Sequence, residues 1–220
     1  MDSIADRLHR VRAGPGLLYA AGDVQPGSVL DERFRIARFV ASGGMGAVYQ
    51  AQDLRSGRPV AIKRFAAARA FFSDRFARES QVLQELRHPG IVSFVSQGLA
   101  PDGGPYIAME WVEGRTLREV LRARRLTIEE AMVLCRRVAE ALDETHRRGL
   151  LHLDLKPGNL MLLGQDPLQV KVLDFGLAAL AHETGQGDKV QGTPGYMSPE
   201  QARKESLDGA TDVFGLGCVL

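Results

Sequence analysis

The stretch Leu150-Leu-His-Leu-Asp-Leu-Lys-Pro-Gly-Asn159 decides how the rest of this chain is read. It places Asp154, Lys156 and Asn159 close together, with His152 just ahead and Pro157-Gly158 forcing a turn between them. A carboxylate, an amine and an amide held near one another on a loop can accept a proton, balance phosphate charge and bind a metal. A polar turn after a helix is the commoner meaning of a Pro-Gly stretch. His, Asp, Lys, Pro and Asn at set spacing, however, arise by chance at roughly one start position in a million if each has about average frequency. The loop is therefore read as chemistry, and its partners are sought along the chain.

The 220 residues suffice for one large domain or two small ones. A composition of 45% hydrophobic and 25% charged residues is that of an ordinary soluble globular protein. A formal net charge of +1 gives no electrostatic case for nucleic acid or an acidic membrane surface. Cys135 and Cys218 lie far apart in apolar, helix-like surroundings. They are expected to be buried free thiols, which fits a reducing compartment. No run approaches the ~20 apolar residues of a membrane span, and Met1-Asp-Ser lacks a signal-peptide pattern, so a cytoplasmic location is expected.

Residues 1–33 are expected to be an N-terminal extension, broken at Gly14-Pro-Gly16 and Pro26-Gly27 and carrying no identifiable chemistry. From Phe34 the pattern turns to strands. Phe34 to Val40, Val48 to Ala51 and Pro59 to Lys63 read as strands, with Ser42-Gly43-Gly44-Met45-Gly46 as a tight turn between the first two. A glycine loop between antiparallel strands does not fit the strand-to-helix setting of a dinucleotide or Walker A loop. A helix follows, capped by Ser73 or Asp74, with Phe76, Leu83 and Leu86 on its apolar face, and it ends at His88-Pro-Gly90. Ile91 to Val95 and Pro105 to Met109 read as two more strands, giving a lobe of five strands and one helix. Thr116 to Arg125 reads as a short helix. Thr127-Ile-Glu-Glu130 has the form of a capping box for a longer one, with Ile128, Ala131, Cys135, Val138 and Leu142 at helical spacing.

The loop at 152–159 resembles the catalytic loop of protein kinases, H-R-D-L-x-x-x-N, with Leu153 where the arginine usually stands. The turn at 41–48 resembles the family's glycine-rich loop, with Gly43, Gly46 and Val48 matching and Ala41 in the first glycine's place. Val60-Ala-Ile-Lys63 and Asp174-Phe-Gly176 follow in the family's order, and Ser198-Pro-Glu200 stands for its Ala-Pro-Glu. The wording Gly-Gly-Met-Gly and Tyr-Met-Ser-Pro-Glu-Gln is similar to the eukaryotic-like Ser/Thr kinases of bacteria, and Thr193 with Gly195-Tyr196 favours a Ser/Thr over a Tyr kinase. The resemblance implies an α+β, bilobal fold, with a small antiparallel lobe carrying one helix and a mainly helical large lobe that is incomplete here. It implies a kinase domain over 34–220, with the small lobe at 34–110, a hinge at 111–114 and a partial large lobe at 115–220.

For the site, the resemblance implies ATP and Mg²⁺. Asp154 would be the catalytic base, Lys156 would balance the transferred phosphoryl group, and Lys63 would meet the phosphates while held by Glu79; Glu85 is expected on the solvated side. Asn159 and Asp174 would hold metal. Ala41, Gly43, Gly46, Val48, Ala61, Lys63, Met109, Glu110 and Val112 would line the nucleotide, the last two through main-chain groups. Trp111 is expected to be an exposed hinge aromatic, His152 a packing residue, and Asp212 a brace for the catalytic-loop backbone. A protein bearing a Ser/Thr acceptor is the implied partner, and the oligomeric state stays open. A catalytically silent nucleotide-binding or scaffolding module is the other reading.

Two departures bear on this. Leu153 removes the cation that would read a phosphate on the segment Leu177–Gln191, in which only Thr184 offers a hydroxyl, so activity is expected not to require phosphorylation there. The chain also stops at Gly217-Cys-Val-Leu220 within an apolar helical pattern, so it is expected to be a piece of a longer protein, with an apolar face exposed and Glu200 unpaired.

Overall fold

The computed structural model describes residues 24–43, 46–65, 81–164, 169–175 and 192–220. Two antiparallel sheets, four complete α-helices and a helical stretch at 81–85 organise them. The first sheet contains β1 (Val29–Leu30), β2 (Phe34–Gly43), β3 (Gly46–Asp53), β4 (Pro59–Phe65), β5 (Phe94–Leu99) and β6 (Pro105–Glu110), in the order β1-β2-β3-β4-β6-β5. It has one strand more than the sequence suggested. β1 lies within the stretch expected as an extension, and Val24 and Leu30 are buried in the lobe's core.

Residues paired across antiparallel strands share a face. One face carries Ile36, Ala51, Val60, Ile62, Tyr106 and Ala108, which form the core of this lobe. The strand expected at Ile91 to Val95 is displaced to Phe94–Leu99. Ile91 instead makes an isolated parallel bridge to Val172, and Val92 N–H donates to Val172 O at 3.1 Å. Their burial comes from a pairing distant in sequence.

The second sheet joins β7 (Gly114–Thr116), β8 (Leu160–Leu163) and β9 (Val170–Val172). The helices are α1 (Leu117–Ala123), α2 (Ile128–His146), α3 (Pro199–Arg203) and α4 (Gly209–Val219). Complete capping boxes start three of them: Thr116 with Glu119, Thr127 with Glu130, and Ser198 with Gln201. Each satisfies two N–H groups that a helix start leaves without partners. On α2 the buried stripe runs through Leu134, Val138, Ala141, Leu142 and Thr145. Ile128, expected on that stripe, is exposed together with Met132.

This core continues through Leu150, Leu155, Leu160, Val172, Phe175 and Leu216 to Leu83 and Leu86 of the preceding lobe. Residues 81–85 are helical and Glu85 is exposed, as expected; Ser73, Asp74, Phe76 and Glu79 lie outside the described residues. Val213 and Phe214 of the last helix, and Leu220 just past it, are exposed, so apolar surface is open there. Glu200, expected to lack a basic partner, accepts the Thr211 hydroxyl at 2.8 Å. The cysteines also differ from expectation. Both are free, but Cys135 is only half-buried and Cys218 is exposed, because α4 turns that side to solvent.

Candidate active site

Strand register brings the small-lobe residues together. Ala41 pairs with Val48, Val48 with Lys63, Gly43 with Gly46, and Ala61 with Met109. Alternation along β3 and β4 then puts Ala41, Gly43, Gly46, Val48, Ala61, Lys63 and Met109 on one face, opposite the lobe's core. Their environments differ. Ala41 and Gly43 are exposed, and a Cβ on Gly43 would meet nothing within 4 Å. Gly46 is buried with φ +143, and a Cβ there would lie 1.8 Å from the Arg64 carbonyl oxygen. Its glycine is thus required by the approach of β4, whatever binds in the cleft.

Lys63 is buried, and its ammonium pairs with Asp174 Oδ2 at 2.8 Å. The expected partner Glu79 lies outside the described residues. β9 brings Asp174 there. Leu173 N–H donates to Asn159 O at 2.9 Å, and Val172 N–H donates to Gly90 O at 2.8 Å, so the strand is held against both the catalytic loop and the turn that ends the small-lobe helix. Asp174 itself has φ +61, a left-handed conformation that a short polar side chain tolerates. Phe175 is buried, edge-on to His152 with ring centroids 4.9 Å apart, and closes a small apolar cavity with Leu83, Val92, Phe94, Ile107 and Met109.

The catalytic loop hangs from a buried carboxylate. Asp212 accepts the N–H of His152 on Oδ2 and that of Leu153 on Oδ1, each at 2.8 Å, and His146 Nε2 approaches Oδ2 at 2.8 Å. Burial would raise the Asp212 pKa, but the His146 contact and the two backbone donors hold it below the ordinary carboxylate range. His152 is buried. Its Nδ1 accepts Asp154 N–H at 3.2 Å, so Nε2 carries the proton given to Leu173 O at 2.8 Å. It is a packing and hydrogen-bonding residue, as expected.

Asp154, Lys156 and Thr193 form a closed triangle. Lys156 Nζ lies 2.5 Å from Asp154 Oδ2 and 2.8 Å from Thr193 Oγ1, and the Thr193 hydroxyl donates to Asp154 Oδ1 at 2.8 Å. Asn159 Nδ2 donates to Asp154 O at 2.8 Å and reaches Oδ2 at 3.3 Å. With the amide nitrogen so used, Oδ1 is the end of Asn159 that could coordinate a cation. An amide oxygen and a carboxylate are donors of the kind that suits a hard cation such as Mg²⁺, which takes few protein ligands and completes its shell with water and phosphate. The donor set therefore fits that ion.

At the hinge, Glu110 N–H is used by Ser93 O at 2.9 Å, so a main-chain contact from Glu110 would be made by its carbonyl. Its side chain accepts Ser93 N–H at 3.0 Å and pairs with Lys171, a link to β9 that sequence reading missed. Lys171 and Glu110 are 61 residues apart, and no local pattern joins them. Val112 is half-buried. Trp111 is half-buried as well, with the Arg38 guanidinium 5.5 Å from its ring centroid, so it is not the free aromatic expected. The Thr193 contact and the bond from Gln201 to Leu153 O were also missed; Ser198-x-x-Gln201 carries a visible capping signal, but only for its local half.

Comparison with known proteins follows the same outline. The model of the protein kinase domain family matches residues 34–220. The chain is similar to serine/threonine-protein kinase PknB of Mycobacterium tuberculosis, 40% identical over 204 residues that make up 88% of this chain and 32% of that protein. It is also similar to a probable serine/threonine-protein kinase of Streptomyces coelicolor, 40% identical over 202 residues, or 87% of this chain and 30% of the relative. The chain thus spans about a third of the length of these curated relatives. The crystal structure of the Mycobacterium tuberculosis PknI kinase domain superposes with a TM-score of 0.73 at 29% identity, over 89% of this chain and 73% of that one.

Proposed function

The chain belongs to the protein kinase domain family, and on that premise we propose that it transfers the γ-phosphoryl group of ATP to Ser or Thr hydroxyls of proteins. The observation that carries this reading is the triangle of Asp154, Lys156 and Thr193, in which a carboxylate and an ammonium already grip an aliphatic alcohol at 2.8 Å. A substrate hydroxyl meeting the same pair donates its proton to Asp154 as its oxygen bonds to the γ-phosphorus. The bond from that phosphorus to the bridging oxygen breaks, and ADP leaves. Lys156 offsets charge on the transferred group, and Lys63 meets the phosphates from the opposite lobe, with Glu79 assigned as its other partner. Ala41, Gly43, Gly46, Val48, Ala61 and Met109 offer the nucleotide one continuous face, closed at the hinge by Glu110 and Val112. Asn159 and Asp174 would hold Mg²⁺, which when bound would compensate phosphate charge. We place the domain at 34–220, with its hinge at 111–114.

The test is transfer of labelled phosphate from ATP and Mg²⁺ to a basic acceptor protein, compared with Asp154→Asn. Removing a general base lowers kcat by on the order of 10²–10⁴-fold. Turnover that survives Asp154→Asn refutes the assignment, and ATP binding with no transfer by the unaltered protein supports a silent module instead.

A further inference from the structure

Leu153 has φ +63 and is buried, a conformation that a branched L residue keeps only where its surroundings impose it. The two peptides flanking it are pinned. Ahead of it, Leu153 N–H is held by Asp212. The following peptide, which joins Leu153 to Asp154, is fixed at both ends: its N–H goes to His152 Nδ1, and its carbonyl accepts Gln201 Nε2 at 2.8 Å. That peptide sets the direction in which the Asp154 side chain leaves the backbone.

Gln201 is buried and fully committed. Its Oε1 accepts Ser198 N–H at 3.0 Å, its own N–H donates to Ser198 Oγ at 3.3 Å, and the amide cannot flip without losing both side-chain bonds. The chain re-enters directly over this contact. A Cβ on Gly192, which has φ +110, would sit 3.5 Å from both Gln201 Nε2 and Leu153 O. The next residue, Thr193, bonds Asp154 itself.

We propose that Gln201 is a positioning residue for phosphoryl transfer: its amide fixes the peptide that aims Asp154 and so couples the placement of residues 192–203 to the catalytic loop. The inference rests on the reading of Asp154 given above. The link is neutral and runs through a main-chain carbonyl. It needs no cation at position 153 and no phosphate to act upon one.

The experiment compares kcat, the MgATP Kd and the melting temperature of the unaltered chain with Gln201→Met, Gln201→Glu and Ser198→Ala. Gln201→Met removes the donor to Leu153 O and is expected to lower kcat by about ten-fold or more with the MgATP Kd within about two-fold. Ser198→Ala breaks only the helix cap, and kcat stays within about three-fold. In Gln201→Glu the introduced carboxyl can donate to Leu153 O only when protonated, so kcat relative to the unaltered protein rises as pH is lowered. Three results would overturn the proposal: an unchanged kcat in Gln201→Met, a fall in kcat matched by lost nucleotide binding, or a pH-independent ratio in Gln201→Glu. The last decides the matter even where Gln201→Met does not fold. If Asp154→Asn abolishes transfer while the Gln201 variants behave normally, only this proposal fails; if the unaltered chain transfers no phosphate, both fail.

Discussion

In the catalytic loop, His152, Leu153, Asp154 and Asn159 are each tied by hydrogen bonds to groups on other elements or within the loop, whereas Ala41, Ser42 and Gly43 at the end of β2 stand exposed. The two regions are linked through Lys63, which pairs with Val48 of the hairpin across the sheet and with Asp174 by its ammonium. On the proposed reading, tying the loop from Asp212 and Gln201 fixes where a proton would be taken and where a cation would sit, before any substrate arrives. On the face shared with Val48 and Lys63, the exposed hairpin end offers only backbone and the Ala41 methyl group, a surface able to lie against phosphates without committing a side chain. The contrast predicts that changes under the loop damage turnover, while changes at the hairpin divide into those that disturb the sheet and those that touch only nucleotide binding.

The largest effect is expected from Asp212→Asn. An amide nitrogen would face one of the two backbone donors, and the loop would shift. kcat should fall on the order of 10²-fold, and stability by ~3 kcal/mol, since a buried network loses its acceptor. A pH series sharpens this. Asp212 has a lower pKa folded than unfolded, so its contribution to stability is fully present above the unfolded value near 4 and is lost as pH falls through the folded value. The unaltered protein should therefore lose more stability than Asp212→Asn between about pH 5 and pH 3. Parallel acid-denaturation curves for the two would contradict this account of the brace.

Next come the two glycines of the hairpin, which separate sheet from ligand. Gly46→Ala drives a methyl into the Arg64 carbonyl, so β3 and β4 must part, at a cost of about 2 kcal/mol and several degrees in Tm. Gly43→Ala meets open space. Its Tm should stay put while the ATP Kd rises by roughly two- to five-fold, less than about 1 kcal/mol. Equal Tm losses in both would remove the distinction between the buried and the exposed end of the turn.

The hinge pair should show a smaller effect. Lys171→Met leaves Glu110 without its cation and loosens the connection between the hinge and β9, the strand that ends beside Asp174. KM for ATP should rise roughly five-fold, about 1 kcal/mol, with Tm nearly unchanged because Glu110 is partly solvated. A KM identical to that of the unaltered protein would show that the pair holds nothing the nucleotide senses.

What could be read beforehand follows the range of each interaction. Lys63, Val48, Ala61 and Met109 were named from motifs in the family's order, and strand register supplies the shared face; the cap at Thr127 was legible because Glu130 lies within one helical turn. The loop residues were legible because their spacing is itself the signal. Ile91 and Val92 read as strand because they are apolar, but their partner is Val172 across the lobes, so the true strand begins at Phe94. The stripe on α2 was misread at Ile128 because an apolar residue at the right spacing still needs a neighbour to cover it, and none of the described elements does. Glu110 with Lys171, and Gln201 with Leu153, join residues far apart in sequence through one side-chain atom each, and composition leaves no trace of that.

The smallest effect is expected at Thr184, which lies outside the described residues, and the reason lies in the loop. A phosphate on that segment could order the site only if a cation beneath it gained a partner. At position 153 the side chain is a buried leucine, and both main-chain groups of that residue are already held, the N–H by Asp212 and the carbonyl by Gln201. A phosphate at 184 would find nothing to pull on there, and the loop it would otherwise steady is already steady. Thr184→Ala should therefore keep kcat within about two-fold of the unaltered protein, measured on phosphatase-treated samples of both. A fall of ten-fold or more, about 1.4 kcal/mol, would mean that the fixed loop described here still awaits a charge from outside it.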